Sequence, residues 1–381
     1  MDAIEQVREG WREKAREVAK NVVAPRATEI DETGEFAWDL VEEYSKHGFL
    51  TLLIPKEYGG SDTDITSFCI VSEEIAKVCA SSALLVIVQA VGTMPIALGG
   101  TQALKEKVLT RIVKEKGLVS FCLTEPDSGS DSASIRTKAV LEGDHYLLNG
   151  RKCFITNGGV SNFYTVFAMT NPGAKMEGIS GFVIEKGTPG LSVGKTEEKL
   201  GIRGSNTTEV LLEDAKVPID QRIGDEGGGW WQMMRTLNRS RPAIGAQAVG
   251  LAQGALDYVV RVVKERRRSR ERGEMAGVGH TLADMATQIE AARALVYKAA
   301  NMMDEKAKGT PVQVYSAMSK YFASDVAMKV TTDAVQVLQW EGLTQRHPVE
   351  RMMRDAKVIQ IFEGTNQIQR MVVAHTLLKS K

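Results

Sequence analysis

Residues Arg354 to Gln369, R-D-A-K-V-I-Q-I-F-E-G-T-N-Q-I-Q, set a single carboxylate, Glu363, at the end of an apolar run. Ala356, Val358, Ile359, Ile361 and Phe362 lead into Glu363-Gly364-Thr365, where glycine permits a chain reversal and threonine can cap a following helix. Helix propensity does not call for an acid there, and burial would disfavour its ionised form and raise its basicity. The stretch alone leaves two readings open: a general base, or a solvated carboxylate flanking a helix.

Two further groups could hold a ligand. In Phe121 to Asp131, F-C-L-T-E-P-D-S-G-S-D, a strand edge runs into a Pro/Gly/Ser loop. Its backbone N–H groups and the hydroxyls of Thr124, Ser128 and Ser130 suit the carbonyls of a planar heterocycle or a phosphorylated ligand, although any turn uses the same residues. In Phe154-Ile155-Thr156-Asn157-Gly158-Gly159, an aromatic ring and a hydroxyl stand two residues apart. On a strand they share a face, so the ring can stack on a flat cofactor while the hydroxyl bonds its polar edge; a core aromatic is the other reading.

The elements that position these groups follow from the changing period. From Asp2 to about Leu118 the pattern is helical, with Val7, Trp11, Ala15 and Val18 in one segment and Leu40, Val41, Tyr44 and Phe49 in a second. Ile65 to Ala97 is mostly apolar, with Glu73, Glu74 and Lys77 as its clearest charged face, so this region is expected to be buried on most sides. Near Leu118 the chain turns extended. Tyr146-Leu147-Leu148, Asn149-Gly150 and Lys152 to Thr156 read as a hairpin with a tight Asn-Gly turn. Short strands follow at Tyr164 to Met169, Gly181 to Glu185, Leu191 to Lys195 and Thr208 to Leu212, a spacing that suggests a small barrel or sandwich. After Gly227-Gly228-Gly229 the helical period returns, clearest over Pro242 to Glu265, Leu282 to Lys308 and Val312 to Leu338, and argues for a bundle. The expected division is an α+β multidomain chain with a helical domain over 1–117, a β domain over 118–225 and a helical bundle over 226–381.

Composition bounds the function. With 381 residues, of which 43% are hydrophobic, the chain can bury a large core. Forty-eight basic and forty-eight acidic residues cancel, so there is no global pull towards nucleic acid or an anionic membrane. The four cysteines, Cys69, Cys79, Cys122 and Cys153, form no C-x-x-C pair and have no histidine cluster beside them, which argues against zinc and a disulfide framework. An acidic start without a signal pattern, and no uninterrupted apolar run judged long enough to span a bilayer, give the expectation of a cytoplasmic protein without membrane insertion.

Taken in order, F-C-L-T-E-P-D-S-G-S-D, N-G-R-K-C-F-I-T-N-G-G, K-L-G-I-R-G-S-N-T-T-E-V, R-P-A-I-G-A-Q-A-V-G-L-A-Q-G-A-L-D and E-G-T-N-Q-I-Q-R resemble the acyl-CoA dehydrogenase family over nearly the whole chain. The resemblance implies a β-barrel middle domain, a C-terminal four-helix bundle, FAD as cofactor, a homotetramer, and electron-transfer flavoprotein as the acceptor. It makes Glu363 the base that removes the α-proton of an acyl-CoA thioester as the β-hydrogen leaves as hydride to flavin N5, giving a 2-enoyl-CoA. In this family the thioester carbonyl is bonded by the backbone N–H of the base residue and a ribityl hydroxyl of FAD. The resemblance matches Phe121, Leu123, Thr124, Gly129 and Ser130 to the loop along the isoalloxazine edge and the pantetheine arm. Phe154, Ile155 and Thr156 match the ring contacts, and Arg266, Gln336, Thr365 and Gln367 match further cofactor contacts. Substrate positions fall on Ser130, Gln89, Leu237, Asn238, Arg241, Phe362 and Gly364, and polar Gln89 hints at an acyl group other than a straight alkyl chain.

The chain also departs from the family pattern. Most relatives have tryptophan where Phe154 stands, and some place the base near Ser240-Arg241-Pro242, where serine cannot serve. Arg266 is followed by Arg267-Arg268-Ser269-Arg270-Glu271-Arg272-Gly273-Glu274 without the family's phenylalanine and glutamine, and Gln339-Trp340-Glu341-Gly342 replaces its paired glycines. The arginine run reads as a solvated loop or as a holder of pyrophosphate. Reduction of an enoyl-CoA, elimination from an unusual thioester, and nucleic-acid binding on the same fold are the alternatives.

Overall fold

The computed structural model describes residues 3–267, 276–305 and 310–379. The first third is helical: α1 (Ala3–Val18), a π turn (Ala19–Val23), α2 (Ala24–Thr33), α3 (Trp38–His47), α4 (Ile65–Ala76), α5 (Ala80–Gly99) and α6 (Gln102–Glu115). Asp64 caps α4, its carboxylate accepting the Ser67 N–H at 2.7 Å. Every residue of α4 is buried, including Glu73 and Glu74 of the charged face that the sequence reading picked out. Glu73 is taken up by Arg293 Nε at 2.9 Å and the Tyr297 hydroxyl at 2.8 Å, and Glu74 by Lys77 at 2.8 Å with Arg12 and Arg16 beside it. The pairs offset the desolvation of both carboxylates. The expectation about apolar runs is also corrected, because α5 is long and apolar enough to cross a membrane; 83% of its most apolar window is buried inside the protein, as a central core helix requires.

The middle of the chain forms an eight-stranded sheet. Its strands are β1 (Val119–Cys122), β2 (Lys138–Glu142), β3 (His145–Thr156), β4 (Phe163–Met169), β5 (Ile179–Glu185), β6 (Leu191–Thr196), β7 (Thr207–Pro218) and β8 (Arg222–Ile223), in the order β6-β7-β3-β2-β4-β5-β8 with β1 parallel to β4. The sheet curls on itself around a closed apolar core, so that Tyr146 on β3 meets Phe182 on β5 with ring centroids 5.0 Å apart. The hairpin expected at Asn149-Gly150 is not one. β3 runs straight through these residues and pairs with β7 on both sides of a bulge at Leu148/Gly150. A Cβ on Gly150 would lie 2.4 Å from Thr137 Oγ1, so the glycine serves close approach, and the hairpin turn is instead at Gly143-Asp144 between β2 and β3.

The last third holds α7 (Gly229–Arg267), α8 (Ala276–Asp304), α9 (Thr310–Leu338), α10 (Val349–Ile359) and α11 (Asn366–Lys379), with α10 and α11 packed on α9. One continuous apolar core joins residues of α1 to α5 with α7 to α10, so the two helical regions are held together as one packing unit. Gly250 and Gly254 let α7 touch α4: a Cβ there would come within 2.2 Å of Glu73 O and 1.9 Å of Lys77 O. The sequence reading began this helix at Pro242, but α7 starts at Gly229 and passes through the proline. Pro242 has no N–H to give Asn238 O, and Ser316 Oγ of α9 donates to that carbonyl at 2.6 Å in its place.

Candidate active site

Glu363 sits between α10 and α11 on a left-handed turn, with φ 57° at Glu363 and 88° at Gly364. The sequence reading gave the reversal to glycine alone. A side-chain-bearing residue in this region costs on the order of 1–3 kcal/mol, which fixed contacts must outweigh. Thr365 caps α11, its Oγ1 accepting the Ile368 N–H at 3.3 Å. Gln369 Nε2 donates to Gly364 O at 3.2 Å, and Lys320 Nζ donates to the same carbonyl at 2.8 Å and to Asn366 Oδ1 at 3.0 Å.

Ser240 Oγ donates to Glu363 Oε2 at 3.1 Å, across from α7. Burial pushes the Glu363 pKa up, while Ser240, Arg241 and Lys320 draw it part of the way back. Among the described residues nothing accepts the Glu363 N–H, so a carboxylate and an unspent backbone donor leave the same residue. Arg241 is buried, with Nη1 on Asn238 Oδ1 at 2.8 Å and Nε without an acceptor among the described residues. Burial lowers its pKa to about 10 against the pull of Glu363, and it remains a cation. Leu237 O accepts from Ser240 Oγ at 3.2 Å, and Phe362, half-buried, packs on the helical core.

Leu237 also joins the edge of the sheet to this site, because it packs in the cluster that contains Leu123 and Phe121. The loop beyond them is shaped by a buried ion pair that the sequence reading missed. Glu125 Oε1 accepts from Lys152 Nζ at 2.8 Å and from Thr137 N at 3.0 Å, Glu125 Oε2 accepts from Arg136 N at 2.6 Å, and Lys152 also bonds Leu123 O at 3.1 Å. Ser128, expected as a ligand hydroxyl, is buried and spent on Asp131 O at 2.6 Å. Gly129 and Ser130 are exposed, and no described residue bonds the hydroxyls of Thr124, Ser130 or Thr156. Phe154 is 64% exposed, with φ 56° at a second bulge of β3, so its ring lies open beside Thr156 and not in a core. Three free hydroxyls, an open ring and exposed backbone along one strand edge fit a planar heterocycle. Ile155 turns its side chain into the sheet core, so only its backbone faces that edge.

Two expected residues do not line an open site with the others. Gln89 is buried, donating to Gly117 O at 2.9 Å and accepting from Val119 N at 3.0 Å; its amide braces α5 to β1, and the hint it gave about the acyl group falls away. Arg266 Nη2 bonds Glu341 Oε2 at 2.6 Å, and at 1.5 Å per residue it stands about 39 Å along α7 from Ser240. Gln336 and Gln367 are exposed. Trp340 is 63% exposed with the Arg346 guanidinium 5.4 Å from its ring. Arg268 to Glu274, expected as a loop or pyrophosphate holder, lie outside the described residues.

Lys320 left a faint signal. Ser316, Lys320 and Ser324 recur every fourth residue along α9 and all three are buried; Lys320 and Ser324 bond the turn, and Ser316 bonds Asn238 O of α7.

A curled sheet beside one helical core, with an edge suited to a planar heterocycle and a carboxylate made more basic by burial, fits the class of flavin-dependent oxidoreductases. Family models agree along the chain: acyl-CoA dehydrogenase N-terminal domain over residues 6–116, middle domain over 120–215 and C-terminal domain over 227–378. The chain is 47% identical to the probable acyl-CoA dehydrogenase FadE25 of Mycobacterium tuberculosis, over 97% of this chain and 94% of that protein. It is 47% identical to cyclohex-1-ene-1-carbonyl-CoA dehydrogenase of Syntrophus aciditrophicus, over 96% and 88%. The solved butyryl-CoA dehydrogenase of Megasphaera elsdenii superposes with a TM-score of 0.93 at 39% identity, covering 100% of this chain and 99% of that one. The chain belongs to the acyl-CoA dehydrogenase family; it is an oxidoreductase acting on acyl-CoA, with FAD as its cofactor.

Proposed function

We propose that the protein oxidises the α,β bond of an acyl-CoA thioester to a 2-enoyl-CoA, with Glu363 as the base. The observation that carries this reading is the Glu363 turn: a carboxylate made more basic by burial, bonded by Ser240, with its own N–H unspent. Bound FAD supplies the hydride acceptor at N5. The chain's own residues do the rest. Glu363 Oε removes the α-proton, and the Glu363 N–H bonds the thioester oxygen as charge develops on it. Arg241 adds a buried positive field at Gly364, while Phe121, Leu237 and Phe362 exclude water and strengthen each of these interactions. Thr124, Ser130, Phe154 and Thr156 hold the flavin edge.

The exposed Phe154 ring supports docking of electron-transfer flavoprotein against this edge. Arg266 and Gln336 stand too far along α7 and α9 to serve the same flavin as Glu363, which supports a neighbouring copy completing each cofactor site in a homotetramer. Alicyclic thioesters join straight-chain ones as candidate substrates because a relative is named for one.

Anaerobic mixing with a panel of straight, branched, alicyclic and dicarboxylic acyl-CoA thioesters tests the reading. At least one saturated thioester is expected to bleach the flavin, and Glu363→Gln is expected to slow that bleaching by about 10²–10⁴-fold while leaving thioester binding intact. Near-normal turnover by E363Q would remove Glu363 from the role of base.

A further inference from the structure

Lys320 lies midway along α9 with its side chain wholly shielded from solvent. A buried ammonium is costly unless it is bonded and faces negative charge. Its two bonds both go to the turn that follows Glu363, to Gly364 O at 2.8 Å and Asn366 Oδ1 at 3.0 Å. Asn366 is itself held by Ser324 Oγ and, through Nδ2, by Asp325 Oδ1 at 2.8 Å. The charged groups around Lys320 are Glu363 on the turn, Arg241 on α7 and Asp325 on α9. Asp325 is committed to Arg370 of α11 at 2.5 Å, and Arg241 repels an ammonium. Glu363 is therefore the carboxylate left for Lys320 to serve.

We propose that Lys320 is a positioning residue for Glu363, anchoring the turn that presents the carboxylate and standing as the buried positive charge against which it ionises. The proposal rests on Glu363 being the base. Burial lowers the Lys320 pKa to about 7, with Glu363 opposing that shift, so the charge is present below neutrality and is withdrawn as pH rises through that value. While present it draws the Glu363 pKa down and keeps the base free on the acidic side.

Two neutral-versus-charged variants test this through the pH dependence of flavin bleaching by the fastest thioester of the panel. K320Q keeps a donor without the charge, and its acidic limb is expected to move up by about one unit, with about tenfold slower bleaching there and convergence with the parent near pH 9. K320R keeps the charge and is expected to keep the parent's limb. A K320Q limb that superposes on the parent's, or a loss that is the same at every pH, would overturn the proposal. A second measurement needs neither substrate nor a folded K320Q. In protein carrying ¹³Cε-labelled lysine, with Lys320 assigned by its loss in K320R, the Lys320 titration is expected to fall by about one unit in E363Q, because coupling between two sites is reciprocal. An unmoved titration sinks Lys320; an E363Q enzyme that turns over normally sinks the base reading instead.

Discussion

Ser240 Oγ lies 3.1 Å from Glu363 Oε2, so a hydroxyl of α7 meets the carboxylate on the turn between α10 and α11. The hydroxyl favours the ionised carboxylate and offsets part of the effect of burial. Removing it by Ser240→Ala raises the Glu363 pKa. Flavin bleaching by S240A is expected to fall about three- to tenfold on the acidic limb and to match the parent at high pH, as read from a stopped-flow pH profile.

Ser316 supplies the hydrogen bond that Pro242 cannot, at the turn of α7 carrying Asn238, Ser240 and Arg241. Ser316→Ala leaves Asn238 O without that donor, and a cost of about 1–3 kcal/mol in thermal unfolding is expected. Because Asn238 orients Arg241, thioester affinity should weaken as well.

Lys152 and Glu125 are an ion pair fully inside the fold, with Lys152 also on Leu123 O. Lys152→Met strands a buried carboxylate and is expected to destabilise the protein by about 3–5 kcal/mol. The loop of Thr124 to Ser130 should loosen with it, releasing FAD during gel filtration while E125Q/K152M double replacement restores much of the stability.

Burial raises the Asp355 pKa to about 7, although it accepts the Ile202 N–H at 2.5 Å. Its unfolded value is near 3.9, so between roughly pH 4 and 7 the folded state binds the extra proton, and stability from this group falls as pH rises through that window. Asp355→Asn keeps the acceptor and loses the titration. Melting temperatures at pH 5 and pH 7 should differ less in D355N than in the parent.

The three-part order of helices, strands and helices was legible because its signals are local: helix spacing, as over Val7, Trp11, Ala15 and Val18, and short apolar runs between turn residues, as over Tyr164 to Met169. The hairpin at Asn149-Gly150 misled for the same reason. Asn-Gly is also suited to a bulge, and pairing with β7, more than sixty residues on, decides which one forms. Gln89 read as a polar cavity wall because nothing local reveals that Gly117 O and Val119 N consume its amide.

The carboxylate at a chain reversal, the hydroxyl-rich strand edge and the ordered motifs are properties of the sequence by itself, and they name Glu363 and the family the chain resembles. Whether Glu363 is desolvated is a matter of what packs on it from elsewhere. Ser240 comes from 123 residues upstream and Lys320 from 43, and neither announces in one dimension which face its helix turns to the turn. A pKa depends on three-dimensional burial and charge, so the basicity of this carboxylate was settled only when α7, α9 and α11 closed around it.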